Sequence, residues 1–396
     1  ESRGLGDVYK RQLVHNAAGL TIADYDNKPK SMLNADGTRE VNLDVRKTGT
    51  LLTDIIRYSS YSVKSTTEST TSGGNTWGGR SSAGNTTAEN SVTITGGNHT
   101  NIYGGWTTGT GSQAAADKRG DSISNKVTVN GSAAVSGTVY GGFTDVANGK
   151  ATRNEVTVDK AIAGAVVGGK ARGEASGNTV TIKANTGAVT GGEGAITNNN
   201  TVNLEGASVN GTITGGTQAD GAGNTLNVAG TNTAANIVGF QKVAFNTNGV
   251  AAHGTVLNLT GGAQTNVDWT TLTVTGTAEK PLTLLKNESG IDLAGYTGAA
   301  KSETTDTTET NVDVRKNSLG RITAITYEGY QFARAESASV IGTDAFGGIS
   351  RAGNATHTNH ITVNGNYTNV YGGHTSGMST TAVEKKNSHD NTVTIT

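Results

Sequence analysis

The sequence predicts an all-β chain folded as a right-handed parallel β-helix, a β-solenoid of stacked coils. Three observations carry that reading. A short phrase recurs, in which an Asn and any residue precede an apolar–Thr/Asn–apolar triplet and a Gly-Gly pair follows. Successive copies of its Asn lie 35, 29, 24, 22 and 24 residues apart, a period proper to repeat architectures. Amphipathic helical spacing is sustained nowhere, and Gly is abundant at 57 while Pro numbers only 2, which excludes a Pro-rich linker. Right-handed coiling follows from the crossover rule for parallel strands.

The regular region spans residues 90–245. Its triplets open at Asn90, Asn125, Asn154, Asn178, Asn200 and Asn224. Side chains alternate along a strand, so each triplet sends two apolar residues to one face. The inward pairs are Val92/Ile94, Val127/Val129, Val156/Val158, Val180/Ile182, Val202/Leu204 and Leu226/Val228. The glycine pairs are Gly104-Gly105, Gly141-Gly142, Gly168-Gly169, Gly191-Gly192 and Gly215-Gly216, read as corners needing positive φ or close backbone approach. The repeated Asn has two readings, an amide ladder between coils or a solvent-facing turn residue. One coil buries too few apolar side chains to offset the entropy of ordering its backbone, so the coils must stack cooperatively. At ~4.8 Å per coil, about 16 coils would give a rod of roughly 75 Å.

A second, longer repeat surrounds the first. Leu13 to Tyr25 aligns without gaps to Leu284 to Tyr296, Asp44 to Lys47 returns as Asp313 to Lys316, and Tyr58 and Tyr61 return as Tyr327 and Tyr330. Trp77-Gly78-Gly79 returns as Phe346-Gly347-Gly348, at an offset of 269 to 271 residues. The chain thus divides into 1–12, extraneous in style and resembling adapter read-through; 13–89, an irregular β-helix start; 90–245, regular coils; 246–300, less regular coils; and 301–396, a truncated second copy. It reads as a fragment of something longer. Residues 301–310 and 62–72 read as loops, and 50–58 as at most a short helix.

A hydrophobic fraction of 33% is low for a thick globular core but suits thin coils, and a net charge of −1 leaves no basic footprint for nucleic acid. With no Cys there is no disulfide framework and no thiolate metal site. No apolar run is long enough to span a bilayer as a helix, and no signal peptide is visible.

The N-x-V-T-V and V-Y-G-G phrases, the lack of Cys and the Gly/Asn/Thr-rich repetition resemble autotransporter (type V secretion) passenger domains. The stretch Ile237 to Phe245, followed by Gly254 to Leu259, is similar to a strand pair of large autotransporters of Gram-negative anaerobes. Filamentous haemagglutinins and other β-helices share these motifs. The resemblance covers nearly all of 13–396. It implies a right-handed parallel β-helix exported through a C-terminal outer-membrane β-barrel, displayed at the cell surface and often an adhesin.

The enzyme reading requires carboxylates converging on one face. Glu155, Asp159, Glu174, Glu193, Glu205 and Asp220 fall at different places in the phrase, and no G-x-S-x-G, HExxH, P-loop or calcium nonapeptide is present. A polysaccharide lyase or hydrolase on a β-helix is therefore the weakest alternative, and no catalysis is expected. His357 and His360, three apart on a strand, point to opposite faces and make a poor chelate, so no metal or cofactor is expected. Tyr103, Tyr140 and Tyr371 precede glycine pairs at matched positions and read as structural stacks, with a sugar-binding stripe as the alternative. The residues after the pairs are Trp106, Phe143, Lys170, Glu193, Thr217 and His374, too mixed for a core column, and they define the candidate binding face. The length after each pair varies, from 19 residues between Gly105 and Asn125 to 7 between Gly192 and Asn200. Insertions collect on one face of a solenoid, and that face is often the binding one. Contact with a host or neighbouring-cell surface protein or glycan is expected through 106–124, 143–153 and 374–390, and an inert stalk is the alternative.

Overall fold

A computed structural model describes residues 11–23, 30–48, 52–64, 70–72, 74–109, 120–219, 221–276, 281–305, 307–331, 339–377 and 387–396. No helix occurs among them, and parallel sheets stack into a β-solenoid of about 10 turns, fewer than the expected 16. Two compact units are present, Glu1–Val228 with Asn232–Ala244, and Ala229–Thr231 with Phe245–Thr396.

In the first unit the repeated phrase builds two long parallel sheets. One runs through Asn75–Ser81, Ile102–Thr107, Thr138–Thr144, Ala165–Lys170, Val189–Glu193, Thr212–Gly216 and Asn236–Val238. The other runs through Ser91–Ile94, Lys126–Val129, Glu155–Val158, Thr179–Ile182, Thr201–Glu205 and Thr225–Ala229. A short third face holds Thr87–Ala88, Ser122–Ile123 and Ala151–Thr152. In the second sheet Val92, Val127, Val156, Val180 and Val202 stand in register, as do Ile94, Val129, Val158, Ile182 and Leu204. All are buried, as are Leu226 and Val228. Each such side chain contributes roughly 1.5–3 kcal/mol.

The repeated Asn forms the amide ladder. The Nδ2 of Asn90 donates to Oδ1 of Asn125 at 2.6 Å, and the chain of donors continues through Asn154 (2.9 Å), Asn178 (3.0 Å), Asn200 (3.0 Å) and Asn224 (3.1 Å). Each Oδ1 also accepts the backbone N–H of the Asn before it in the ladder, and Gln241 closes the series by accepting from the Asn224 N–H. All six side chains are buried, so the turn-residue reading is excluded. The left-handed residue is instead the one before the Asn: Glu89, Ser124, Arg153, Gly177, Asn199 and Gly223 all have φ between 54° and 71°.

The glycine pairs lie inside strands rather than at corners, and none has positive φ. Close approach is their role. A Cβ on Gly141 would stand 2.4 Å from the Gly168 carbonyl oxygen, and one on Gly142 would stand 2.5 Å from the Asn154 amide. The ladder occupies the space that the absent side chains leave, which ties the two halves of the phrase together.

The opening stretch differs from the coils expected at 13–89. Arg11–His15, Leu52–Ser62, Arg39–Thr48 and Lys30–Leu33 pair antiparallel in that order. Residues 50–58, read as a short helix, fall largely in the strand Leu52–Ser62. On the inward face of this meander Glu40 is fully buried. It accepts from Ser81 Oγ (2.5 Å), Asn42 Nδ2 (2.5 Å), Asn85 Nδ2 (2.6 Å) and the Ser82 N–H (3.1 Å).

The second unit repeats the device. Lys301–Thr304, Thr308–Lys316 and Ile322–Gln331 form an antiparallel meander where a loop was expected over 301–310. Its buried Glu309 accepts from Ser350 Oγ (2.7 Å), Asn311 Nδ2 (2.7 Å), the Arg351 N–H (2.8 Å) and Asn354 Nδ2 (2.5 Å). Parallel pairs follow, Asp344–Ser350 with Asn369–Thr375 and His360–Val363 with Thr392–Ile395. Asn359 donates to Asn391 at 2.6 Å, so the ladder restarts in this unit.

Candidate functional site

The residues that follow the glycine pairs come together. Trp106 pairs with Phe143, Phe143 with Lys170, and Lys170 with Glu193, on adjacent parallel strands. Thr217 continues the line, its Oγ1 accepting the Gly194 N–H at 3.1 Å. Because the missing Cβ atoms of each pair point inward, the residues on either side both face out. The result is a single outward column running across five coils of the first unit. His374 belongs to the second unit, where it is edge-on to Tyr371 and Phe346.

The upper part of the column is aromatic. Tyr103 lies between Tyr140 (centroids 5.1 Å, 10°) and Trp106 (4.5 Å, 9°). Phe143 meets Tyr140 edge-on at 5.3 Å, and Trp77 meets Trp106 edge-on at 5.6 Å. Arg80 covers the group: its guanidinium sits 4.2 Å from the Trp106 centroid, 4.8 Å from Trp77 and 4.9 Å from Tyr61. Burial lowers the Arg80 pKa, opposed by neighbouring Tyr61 and Glu40. Sequence reasoning missed Arg80, although it follows the pair Gly78-Gly79 as Trp106 follows Gly104-Gly105. These contacts fit the structural-stack reading of Tyr103 and Tyr140, since both faces of Trp106 are taken.

The lower part of the column is charged. Lys170 and Glu193 pair at 2.5 Å but remain 37% and 40% exposed, so the pair contributes little, about 0–1 kcal/mol. The other described carboxylates weighed for catalysis each face a lysine. Glu155 meets Lys126, Glu174 meets Lys150, and Asp159 and Glu205 both meet Lys183. Asp220 lies outside the described residues. His357 stacks on His389 at 5.6 Å and 13°, while His360 lies on the next strand. Among the described residues no three His, Cys, Asp or Glu side chains are grouped to hold a metal ion. Residues 110–119 and 378–386 of the expected binding loops lie outside the described residues.

Burial, with Tyr140 beside it, pushes the Tyr103 phenol up to about 12, while Arg80 opposes the shift. A folded pKa above the unfolded one favours the native state at low pH, and that gain is lost as pH rises through the folded value. Urea midpoints at about pH 9 and pH 11.5 are therefore expected to fall further apart in the parent than in Tyr103→Phe. Equal falls would place the ring elsewhere than in this stack.

The geometry defines a class, a parallel β-solenoid with an outward aromatic and charged column. The chain matches no protein family, and comparison with curated proteins and with solved structures finds no match.

Proposed function

We propose that this chain is part of a surface-exposed bacterial passenger domain of autotransporter type, an adhesin whose solenoid presents one face to a host or neighbouring-cell surface. One observation carries the reading: Trp106, Phe143, Lys170, Glu193 and Thr217 form one outward column, and the chain that follows each member varies in length. A solenoid that holds its coils in register while varying what hangs from one edge has a scaffold and a presenting side. The passenger assignment rests on this fold together with the phrases that resemble that family. Export through an outer-membrane β-barrel, extracellular location and absence of catalysis belong to the same proposal.

A second reading, an inert stalk, is favoured by the aromatic contacts, because rings already stacked on one another have fewer faces to offer a ligand. The deciding experiment trims 106–124 and 143–153 to the length of 216–224. Binding to cells and to extracellular matrix is then measured, with circular dichroism confirming that the β signal persists. Loss of binding by a folded trimmed chain supports the adhesin. Undiminished binding by the folded trimmed chain overturns the assignment to these loops, and absence of binding by the untrimmed chain selects the stalk.

A further inference from the structure

The long duplication places equivalent side chains twice, once covered and once exposed. In the second unit Leu284 and Leu285 are 0% exposed, and Val312 and Tyr327 are each 8% exposed. Their equivalents in the first unit are Leu13 (55%), Val14 (43%), Leu43 (38%) and Tyr58 (37%). The local pairing is alike in both copies: Val14 faces Ile56 as Leu285 faces Ile325, and Leu43 faces Tyr58 as Val312 faces Tyr327. Lys30 faces Leu43 as Lys301 faces Val312.

What differs is the cover. In the second unit the strand Thr255–Leu259 pairs in parallel with Leu282–Asn287, setting Leu257 against Leu285. The turn that follows lies over the meander. Tyr327 donates its hydroxyl to the Gly276 carbonyl at 3.3 Å. The Lys301 ammonium donates to the carbonyls of Leu272 (2.9 Å) and Thr270 (3.2 Å) and sits 5.5 Å from the Trp269 ring centroid. In the first unit the matching tyrosine and lysine, Tyr58 and Lys30, are exposed.

We propose that the bare face formed by Leu13, Val14, Leu43, Tyr58 and Lys30 is an acceptor site for the closing coil of a module of this same type. That coil is a copy of residues 245–283 carried by another repeat of this module in the same polypeptide, placed ahead of the strand Arg11–His15. The strand equivalent to Thr255–Leu259 pairs in parallel with the strand at Leu13 and Val14, with its Leu257 against Val14. The Tyr58 hydroxyl and the Lys30 ammonium take the carbonyls that follow. A patch of apolar side chains backed by a strand edge that has no partner among the described residues is the surface that such addition covers. Lys30 and Tyr58 give it the same polar readers that Lys301 and Tyr327 supply. Modules of this type are therefore built to be read in tandem.

The test uses the absence of cysteine from the sequence. Leu43→Cys is placed in the present chain and, separately, in the second repeat of a tandem chain in which residues 13–283 precede 13–396. The expected result is thiol labelling at least about tenfold slower in the tandem chain. Adding Leu257→Asp and Trp269→Asp to the leading repeat restores fast labelling. Equal labelling rates in two chains with the same β signal overturn the proposal.

Discussion

Asn154→Ala lowers the stability of the first unit by roughly 2–6 kcal/mol. The side chain serves four groups at once. Its Oδ1 accepts from the Asn125 N–H (3.0 Å) and from Asn125 Nδ2 (2.9 Å), and its Nδ2 donates to Asn178 Oδ1 (3.0 Å) and to the Ser122 carbonyl (3.0 Å). Truncation strands a buried backbone donor and a buried carbonyl, each costing about 1–3 kcal/mol without a partner. Trp77 and Trp106 belong to this unit, so urea unfolding followed by tryptophan fluorescence reads the change. Thr157→Ala, on the strand Glu155–Val158 that follows Asn154 but outside the core column, shifts the same transition by no more than about 0.5 kcal/mol. Equal effects of the two substitutions would mean that the ladder is incidental.

Gly142→Ala reaches the same ladder from the other side. Its Cβ would overlap the Asn154 amide at 2.5 Å, in a space already filled. The neighbour cannot yield without giving up the hydrogen bonds just described. Asn and Gly-Gly are thus one device, an amide seated where two side chains are missing.

Much of this was legible because it is periodic. Strand alternation alone places Val156 and Val158 inward, and both are fully buried. The recurrence of Asn154 and its relatives at one point of the phrase made a ladder thinkable, and burial selected it over the turn. The glycine pairs misled, because sequence reports the absence of a side chain but not whether φ or space requires it. Here the left-handed turn falls on Ser124, Arg153 and their equivalents, which include two glycines but have no residue type common to all. The two meanders were misread for a related reason. Their inward faces hold Glu40, Asn42 and Ser59 rather than an apolar column, so the usual period-two signal is weak. Residues 50–58 and 301–310 therefore read as helix and loop where strands form. The outward column was readable as a list of positions after glycine pairs. Its aromatic stacking, and the part of Arg80 in it, depend on distances between coils that no single coil encodes.

Glu40→Gln loosens the first meander from the coils, at a cost of roughly 2–5 kcal/mol. The carboxylate is fully buried, and every group hydrogen-bonded to it is a donor: two amide Nδ2 atoms, two serine hydroxyls and a backbone N–H. A carboxylate offers acceptors at both oxygens. Glutamine keeps the size but turns one acceptor into an NH2 group that must face Ser81 Oγ and Asn85 Nδ2 or Asn42 Nδ2. Donor then opposes donor in a fully buried site. The same logic holds at Glu309, whose donors Ser350, Asn354 and Asn311 are the equivalents of Ser81, Asn85 and Asn42. Hydrogen exchange localises the effect: amides of Arg39–Ser62 lose protection in Glu40→Gln, while those of Glu155–Val158 and Thr179–Ile182 keep theirs. Glu309→Gln produces the corresponding loss over Thr308–Gln331 and leaves Arg39–Ser62 untouched. If instead each glutamine variant retains full protection, the meanders are held by their apolar contacts, and the buried acid is a passenger in a site that tolerates it.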